Sequence, residues 1–419
     1  MFAAGPSTQI PAVVVGGSDN CGGLGVVRSL GRAGVPVVVI DREYTAAALH
    51  SHYARKLIVP ELSGPSFVRD LLNIASTIKS RPVLFLTSDE AALTVSRHRT
   101  ELEKHYRFRL PSHQCLVSLM QKNRVQELAI EHDFPVPRAV RIRNFDDLRR
   151  LTELSFPAII KPSIKTDDYL TQQFERGYRV TSLEQAVSIS RRILPVLPDM
   201  VVQEWIEGAD SAIHFCLVYR GRHGTVSSFT GRKLSIWPPD VGTTASCTAA
   251  PEAHAELHQL TDSFFNAMAF VGMGSMEFKR DDRTGQFFMI EPTVGRVDWQ
   301  EEVATLNGAN IPLAAYLHEI GAAVPAANNV PLVIWSDSAR HWKAARGGHT
   351  GRTAWPKAKV YDAYWRIDDP LPALFHALST ITRALWRMQK RREPRRSGGS
   401  QLAAFNSLVR RSLKAAFRR

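Results

Sequence analysis

The chain has 419 residues, 44% hydrophobic, and a formal charge of +13 at pH 7, which is length and apolar content for two or three domains with proper cores. The charge does not describe a nucleic-acid-binding body: Arg383 to Arg419 holds twelve Lys/Arg against Glu393 alone, leaving 13 − 11 = +2 for everything before it. No run approaches the about eighteen apolar residues that span a bilayer, the first residues lack the basic flank and apolar core of a secretory signal, and Cys21, Cys115, Cys216 and Cys247 fall in no CxxC or Cys/His pattern, so a cytoplasmic protein without a zinc site or disulfide framework is expected.

Pro11 to Gly17 (PAVVVGG) is an apolar strand running into a glycine-rich turn, Gly16 to Gly25, then a helix from about Leu24 to Ala33. A second strand, Val35 to Ile40, ends at Asp41, and a third, Pro82 to Leu86, ends in Thr87-Ser88-Asp89-Glu90. Strands alternating with helices at this spacing predict a parallel α/β sheet. Its strand-end loops converge on one edge, where such sheets bind ligands. The glycines do not fall in G-x-G-x-x-G, because Gly23-Leu24-Gly25 is followed by Val26, Val27 and Arg28, which argues against a dinucleotide site with Asp41 on the ribose. Tight strand-to-helix packing accounts for the same glycines, and the helix N-terminus could hold a substrate carboxylate.

Between Pro111 and Pro137, apolar positions at Leu116, Leu119, Met120, Val125, Leu128 and Ala129 predict a helix that stops at Pro135-Val136-Pro137. A domain boundary is placed near residue 112. Lys122 lies in this helical region and, by itself, reads as a solvated lysine. Phe156 to Pro162 (FPAIIKP) is a buried-looking strand finishing on Lys161. A lysine closing an apolar strand either meets an anion, phosphate suiting its compact charge, or snorkels to water. The polar loop Ser163 to Gly177 has the character of a lid.

Met200 to Gly208 (MVVQEWIEG) is another strand, with Gln203-Glu204 followed by apolar Trp205 and Ile206. It can offer a purine an apolar slot and polar edge, with Asp210 close enough to reach a ribose hydroxyl. Phe215 to Arg222 and Thr225 to Lys233 form a β pair ending in Gly231-Arg232-Lys233, whose cations could meet a triphosphate or a carboxylate. Met276 to Arg280 and Gln286 to Glu291 read as a hairpin across Asp281 to Gly285. A register pairing 277 with 289 or 291 puts Glu277 and Glu291 on one face. They either flank a hard divalent cation that also takes phosphate oxygens, or are solvated on a surface hairpin.

Lys122, FPAIIKP with Lys161, VVQEWIEG, the GRK at 231 to 233, Glu277 in SMEFK and Glu291 in MIEPTVGR occur in the order and approximate spacing of the ATP-grasp superfamily. The chain resembles its carboxylate–amine ligases, the branch similar to the carbamoyl-phosphate synthase large subunit, over roughly residues 10 to 325. The resemblance implies an α/β (α+β) fold: a Rossmann-like pre-ATP-grasp domain over 1–112 that binds no dinucleotide, a two-lobed ATP-grasp domain over 113–325 with a lid at about 130–205, and a C-terminal segment over 326–419. It implies that Lys122 and Lys161 hold the nucleotide phosphates, that Gln203, Glu204 and Ile206 line the adenine edge, and that Asp210 approaches the ribose. Glu277 and Glu291 would ligate Mg²⁺ (or Mn²⁺). Arg296 would steady the reacting carboxylate or acyl phosphate, assisted by Lys233 or Arg232. The family's second metal strand reads Glu-x-Asn-x-Arg. Here Thr293 replaces the asparagine as a metal-ligand candidate, and one extra residue precedes Arg296.

Ile311 to Ile320 reads as a helix, and an aromatic-rich segment with Trp335, Trp342, Trp355, Tyr361, Tyr364 and Trp365 follows with no readable role. Two basic helices close the chain, about Leu371 to Arg392 and Gln401 to Phe417, split by a hinge. In the second, Leu402, Phe405, Val409, Leu413 and Ala416 recur at helical spacing among Arg410, Arg411 and Lys414, the pattern of a helix on an anionic membrane surface. A dimerisation helix or a solvated tail fits as well, and nucleic acid less well. The expectation is an ATP-dependent ligase joining a small-molecule carboxylate to an amine, working near the inner membrane face. Its rival is a catalytically weakened ATP-binding scaffold recruited to a membrane-bound biosynthetic complex.

Overall fold

The computed structural model describes residues 10–16, 21–162, 174–175, 177–347 and 358–392, with backbone alone for 384–392. Part of the glycine turn, most of the proposed lid loop, Trp355, the hinge after Arg392 and the second basic helix lie outside the described residues.

β1 (Ala12–Val15) is an alanine and three valines, all buried, and β-branched side chains favour this extended backbone. With β2 (Val37–Asp41), β3 (Ala54–Ile58) and β4 (Val83–Phe85) it forms a parallel sheet in the order β3-β2-β1-β4. The predicted parallel α/β sheet is present, widened by β3, whose exposed Arg55 and Lys56 broke the apolar pattern. α1 (Cys21–Gly31) starts three residues earlier than predicted and takes the glycines into the helix. A Cβ on Gly25 would lie 3.0 Å from Cβ of Glu302, and one on Gly31 2.4 Å from Cβ of Tyr53. The glycines therefore serve close packing. α2 (Gly64–Ser76), α3 (Asp89–Arg97) and the single turn α4 (Arg99–Leu102) complete this region.

The single helix predicted after Pro111 is two: α5 (His113–Met120), capped by Ser112 Oγ, and α6 (Lys122–Glu131). Gln121 between them is extended, φ −94° and ψ 112°. The break puts Lys122 at the first position of α6, while Leu116, Leu119, Val125 and Ala129 still reach one core.

β5 (Ala139–Ile142), β6 (Ala158–Pro162), β7 (Tyr178–Val180) and β8 (Met200–Glu204) form an antiparallel sheet in the order β5-β8-β6-β7. α7 (Leu183–Ile193) covers it, and Val140, Ile142, Ile160, Ala186, Ile193 and Val202 share a separate small core.

The largest sheet has seven strands in the order β13-β12-β9-β10-β11-β14-β15. β9 (Ile213–Gly221) and β10 (Gly224–Trp237) are the predicted antiparallel pair; β11 (Thr243–Ala249) and α8 (His254–Ala267) follow. β12 (Gly272–Arg280) and β13 (Phe287–Val294) are the predicted hairpin, β13 running three residues past Glu291. After α9 (Glu302–Leu306) and α10 (Ile311–Ile320), the aromatic-rich segment whose role was unreadable supplies β14 (Val333–Ser336), α11 (Ser338–Arg346) and β15 (Lys359–Asp362), and the first of the two predicted basic helices follows as α12 (Leu371–Arg392). β14 extends the large sheet by pairing antiparallel with β11, and β15 then adds parallel to β14. This segment is tied to α1: the buried Arg28 guanidinium donates to Asp369 Oδ2 at 2.9 Å, Ala363 O at 2.9 Å and Tyr364 O at 2.7 Å. The four cysteines are free, and Cys21, Cys216 and Cys247 are buried.

Candidate active site

Ser275, Glu277 and Lys279 alternate onto one face of β12, and Glu291 and Thr293 onto the same face of β13. Of the two registers considered, the structure takes the direct one. Glu277 pairs with Glu291, Ser275 with Thr293, and a bulge then pairs Phe278 with Met289, leaving Ile290 as the extra residue. Two carboxylates set opposite each other repel unless cations intervene. Here Lys233 Nζ of β10 donates to Glu277 Oε2, and Lys122 Nζ of α6 donates to Glu291 Oε2.

These residues floor a cleft of about 460 Å³ between the large sheet and the four-stranded antiparallel sheet. Lys161, at the end of β6, enters from above, and Gln203 Oε1 accepts from its Nζ at 3.3 Å. Gln203 in turn donates to Gln126 Oε1 at 3.2 Å. Glu204, Trp205 and Ile206 line the cleft beside it, Glu204 Oε1 accepting from Ser155 N at 2.8 Å. Arg296 closes the far end, its Nε donating to Asp89 Oδ1 at the start of α3.

The charges act on one another. Burial, and then the Lys122 ammonium, bring the Lys161 amine down to about 8. Lys122, outweighing burial, holds the Glu291 carboxyl far below the usual range. Burial works against the charge on Lys233, but the Glu277 carboxylate, joined by Asp298 and Glu291, outweighs it and raises the amine. For Arg296, burial is likewise outweighed by Asp89 and Asp298.

Ten of the twelve residues singled out from sequence line this cleft: Lys122, Lys161, Gln203, Glu204, Ile206, Lys233, Glu277, Glu291, Thr293 and Arg296. Asp210 and Arg232 do not. The 3₁₀ turn Asp210–Ala212 directs Asp210 to the sheet, where its Oδ2 accepts from Ile236 N at 2.9 Å. Arg232 neighbours Lys233 on a strand and so faces the opposite side, 3.6 Å from Glu252 Oε1. The loops Ser88–Glu90 and Asp298–Gln300 reach the cleft, whereas Gly22 to Gly25 are not among its lining. Sequence reasoning missed Lys279, which strand alternation from Glu277 would have found. Its Nζ lies 4.1 Å from the centroid of the Trp205 ring, and Arg179 covers that ring at 4.9 Å.

Two opposed carboxylates with the Thr293 hydroxyl are hard oxygen donors, too few for a closed Ca²⁺ or Zn²⁺ cage. Among the described residues no group of three or more His, Cys, Asp or Glu side chains gathers to hold a metal by itself. The set fits Mg²⁺, which takes one or two carboxylates and fills its other positions with water and phosphate oxygens.

No family model and no curated protein sequence matches the chain. Solved structures do. The biotin carboxylase domain of Hydrogenobacter thermophilus 2-oxoglutarate carboxylase, a dimer solved with MgADP, ADP and bicarbonate, superposes with a TM-score of 0.59 at 15% identity, over 78% of this chain and 74% of that one. Biotin carboxylase of Campylobacter jejuni gives 0.59 at 15%, over 78% and 75%. N5-carboxyaminoimidazole synthetase of Staphylococcus aureus gives 0.59 at 13%, over 78% and 82%. The chain has the ATP-grasp fold. Just before Arg296, Gly295 leaves β13 with φ +70°, a conformation natural to glycine. A Cβ there would lie 2.8 Å from Cδ1 of Leu116. The glycine turn carries Arg296 back to the cleft wall.

Proposed function

We propose that the protein is an ATP-dependent ligase that activates a small-molecule carboxylate as an acyl phosphate for attack by an amine. The direct pairing of Glu277 with Glu291 carries this reading, because it places two hard oxygen donors on the floor of a cleft ringed by four lysines and an arginine.

Lys161 and Lys122 hold the ATP phosphates, and the slot formed by Gln203, Glu204, Trp205 and Ile206 takes the base. Glu277 and Glu291, with Thr293, would hold Mg²⁺, which when bound supplies charge neutralisation for the transferring phosphoryl group. Phosphate oxygens then replace the carboxylates as partners of Lys122 and Lys233. Arg296 presents its guanidinium to the substrate carboxylate, in competition with Asp89, so the reacting oxygen is held in line with the γ-phosphorus. One carboxylate oxygen takes the phosphoryl group and ADP leaves. The amine nitrogen then bonds to the acyl carbon, and phosphate departs with that oxygen. No side chain is needed as a nucleophile: the residues position groups and stabilise charge. That three solved neighbours of this fold carry out ligations or carboxylations, one solved with MgADP and bicarbonate, supports this reading over a nucleotide-binding scaffold. The basic C-terminal part adds a location to the reaction, an anionic membrane face.

The test is ADP release from Mg²⁺ and ATP against pooled carboxylates and amines, with ¹⁸O-labelled carboxylate. Label in the released phosphate that disappears in Glu291→Ala is expected. Tight ATP binding with no turnover in any pool would overturn the ligase reading.

A further inference from the structure

Nine of the eleven exposed large hydrophobic side chains among the described residues fall between Val330 and Ile381, a concentration that isolated surface leucines do not produce. Five belong to α12 and the loop leading into it: Trp365 is 58% exposed, Ile367 93%, Leu371 50%, Leu374 46% and Ile381 55%. With half-buried Leu378, positions 371, 374, 378 and 381 make a stripe at helical spacing.

The opposite side of the same helix is fixed to the body. Phe375 stacks on His50 with ring centroids 3.3 Å apart, His376 stacks on Tyr364 at 3.6 Å, and Arg383 donates to Glu43 Oε2 at 2.8 Å. The loop before it is anchored as firmly, since Arg366 donates to Glu302 Oε2 at 2.9 Å and Asp369 accepts from Arg28 at 2.9 Å, both within the buried interior. Between these inward residues, Trp365 and Ile367 point out. α12 is thus a helix with two apolar sides, one covered by protein and the other held out in a fixed orientation.

Charge selects what covers it. α12 contains Arg383, Arg387, Lys390, Arg391 and Arg392 and no acidic residue. The nearby Asp368 is matched by Arg32 and Tyr53, and Asp369 by Arg28. A second α12 laid along the first brings five more positive charges, and the chain's own 401–417 brings Arg410, Arg411 and Lys414. An apolar layer bordered by negative charge complements the face, and a leaflet containing acidic lipid is such a layer. We propose that Trp365, Ile367 and the outer stripe of α12 seat the protein on an anionic lipid surface, with α12 lying in the interface plane. The proposal is independent of the reaction assigned to the cleft, because it concerns binding and not turnover.

The experiment is flotation of the full chain with vesicles of phosphatidylcholine alone and of an equal mixture with phosphatidylglycerol. It compares the wild type with Leu374→Glu/Ile381→Glu and with Trp365→Ser, and ATP affinity is measured on the same preparations to show that each variant is folded. The mixed vesicles are expected to carry the wild type and the neutral ones not. The double variant should lose about tenfold or more of that binding with ATP affinity unchanged, and brominated lipid should quench less tryptophan fluorescence in Trp365→Ser. A wild type that stays in solution with both vesicles overturns the proposal. So does a double variant that floats as well as the wild type, which assigns binding to residues 393–419. A dimer seen by sedimentation that the double variant splits, without flotation, assigns the face to a second copy.

Discussion

Glu277 on β12 and Glu291 on β13 stand directly opposite one another, yet their lysine partners differ in burial: the Lys233 side chain is 5% exposed and that of Lys122 34%. The two glutamates are therefore chemically paired and energetically unequal. Glu277→Gln leaves a buried ammonium without its counter-ion, an expected loss of about 3–5 kcal/mol. Glu291→Gln disturbs a pair whose side chains are 46% and 34% exposed, so water screens the hold of Lys122 on that carboxyl and the loss is about 1 kcal/mol or less. Urea denaturation of the two variants without nucleotide checks this, and equal losses would contradict it. Turnover should vanish in both.

Arg296→Lys retains the charge but replaces a planar fork with a point donor. A fall in kcat of about 10²-fold is expected, with ATP affinity near that of the wild type, because the lysines and the base slot are untouched. Steady-state kinetics beside nucleotide titration separates the two quantities. Loss of ATP affinity instead would move Arg296 into the phosphate site.

The Lys161 amine, ordinarily at 10.5, is pushed down to about 8. Its folded form gives up a proton that the unfolded chain still holds, so stability without nucleotide rises as pH climbs from about 8 to 10.5. Binding runs the other way. ATP affinity should weaken above pH 8 as the phosphate loses its cation, and Lys161→Arg should flatten that profile. A nucleotide titration from pH 7 to 9.5 gives the answer; parallel profiles for the two proteins would exclude Lys161 as the group responsible.

Glu301 sits beside Asp298, with its Oε1 buried and lacking a hydrogen-bond partner among the described residues. Burial, and then the Asp298 charge, raise its carboxyl from 4.5 to about 8. Within that window the folded protein keeps a proton the unfolded chain releases, so this group makes stability fall as pH rises. Glu301→Gln should be near neutral at pH 5 and raise Tm at pH 8, on the order of a few °C. A gain of the same size at both pH values would show that ionisation is not its source.

What the sequence made legible was local or periodic. The hairpin carrying Glu277 and Glu291 was readable because β alternation and a glycine-ended turn fix its register to within one pairing. Lys161 was readable because a cation at the end of a buried strand needs a partner. The break at Gln121 was hidden, since the apolar spacing of α5 continues into α6 as though nothing intervened. β14 and β15 were hidden for the opposite reason: their partners are distant in sequence, and no short-range pattern announces a parallel pair added to the edge of another sheet. Asp210 and Arg232 were assigned by proximity along the chain. Direction decided otherwise, and for Arg232 the alternation beside Lys233 already contained the answer.

The buried guanidinium of Arg28 finds its acceptors 335 to 341 residues later, at Ala363, Tyr364 and Asp369. On a ribosome adding 5–20 residues per second, that delay is roughly 20–70 s. Throughout it, the first helix carries a cation whose place in the interior has not been made. The amino-terminal sheet therefore cannot reach its final packing as an independent first product of translation, and a nascent chain halted before Ala363 should remain open to proteases at α1.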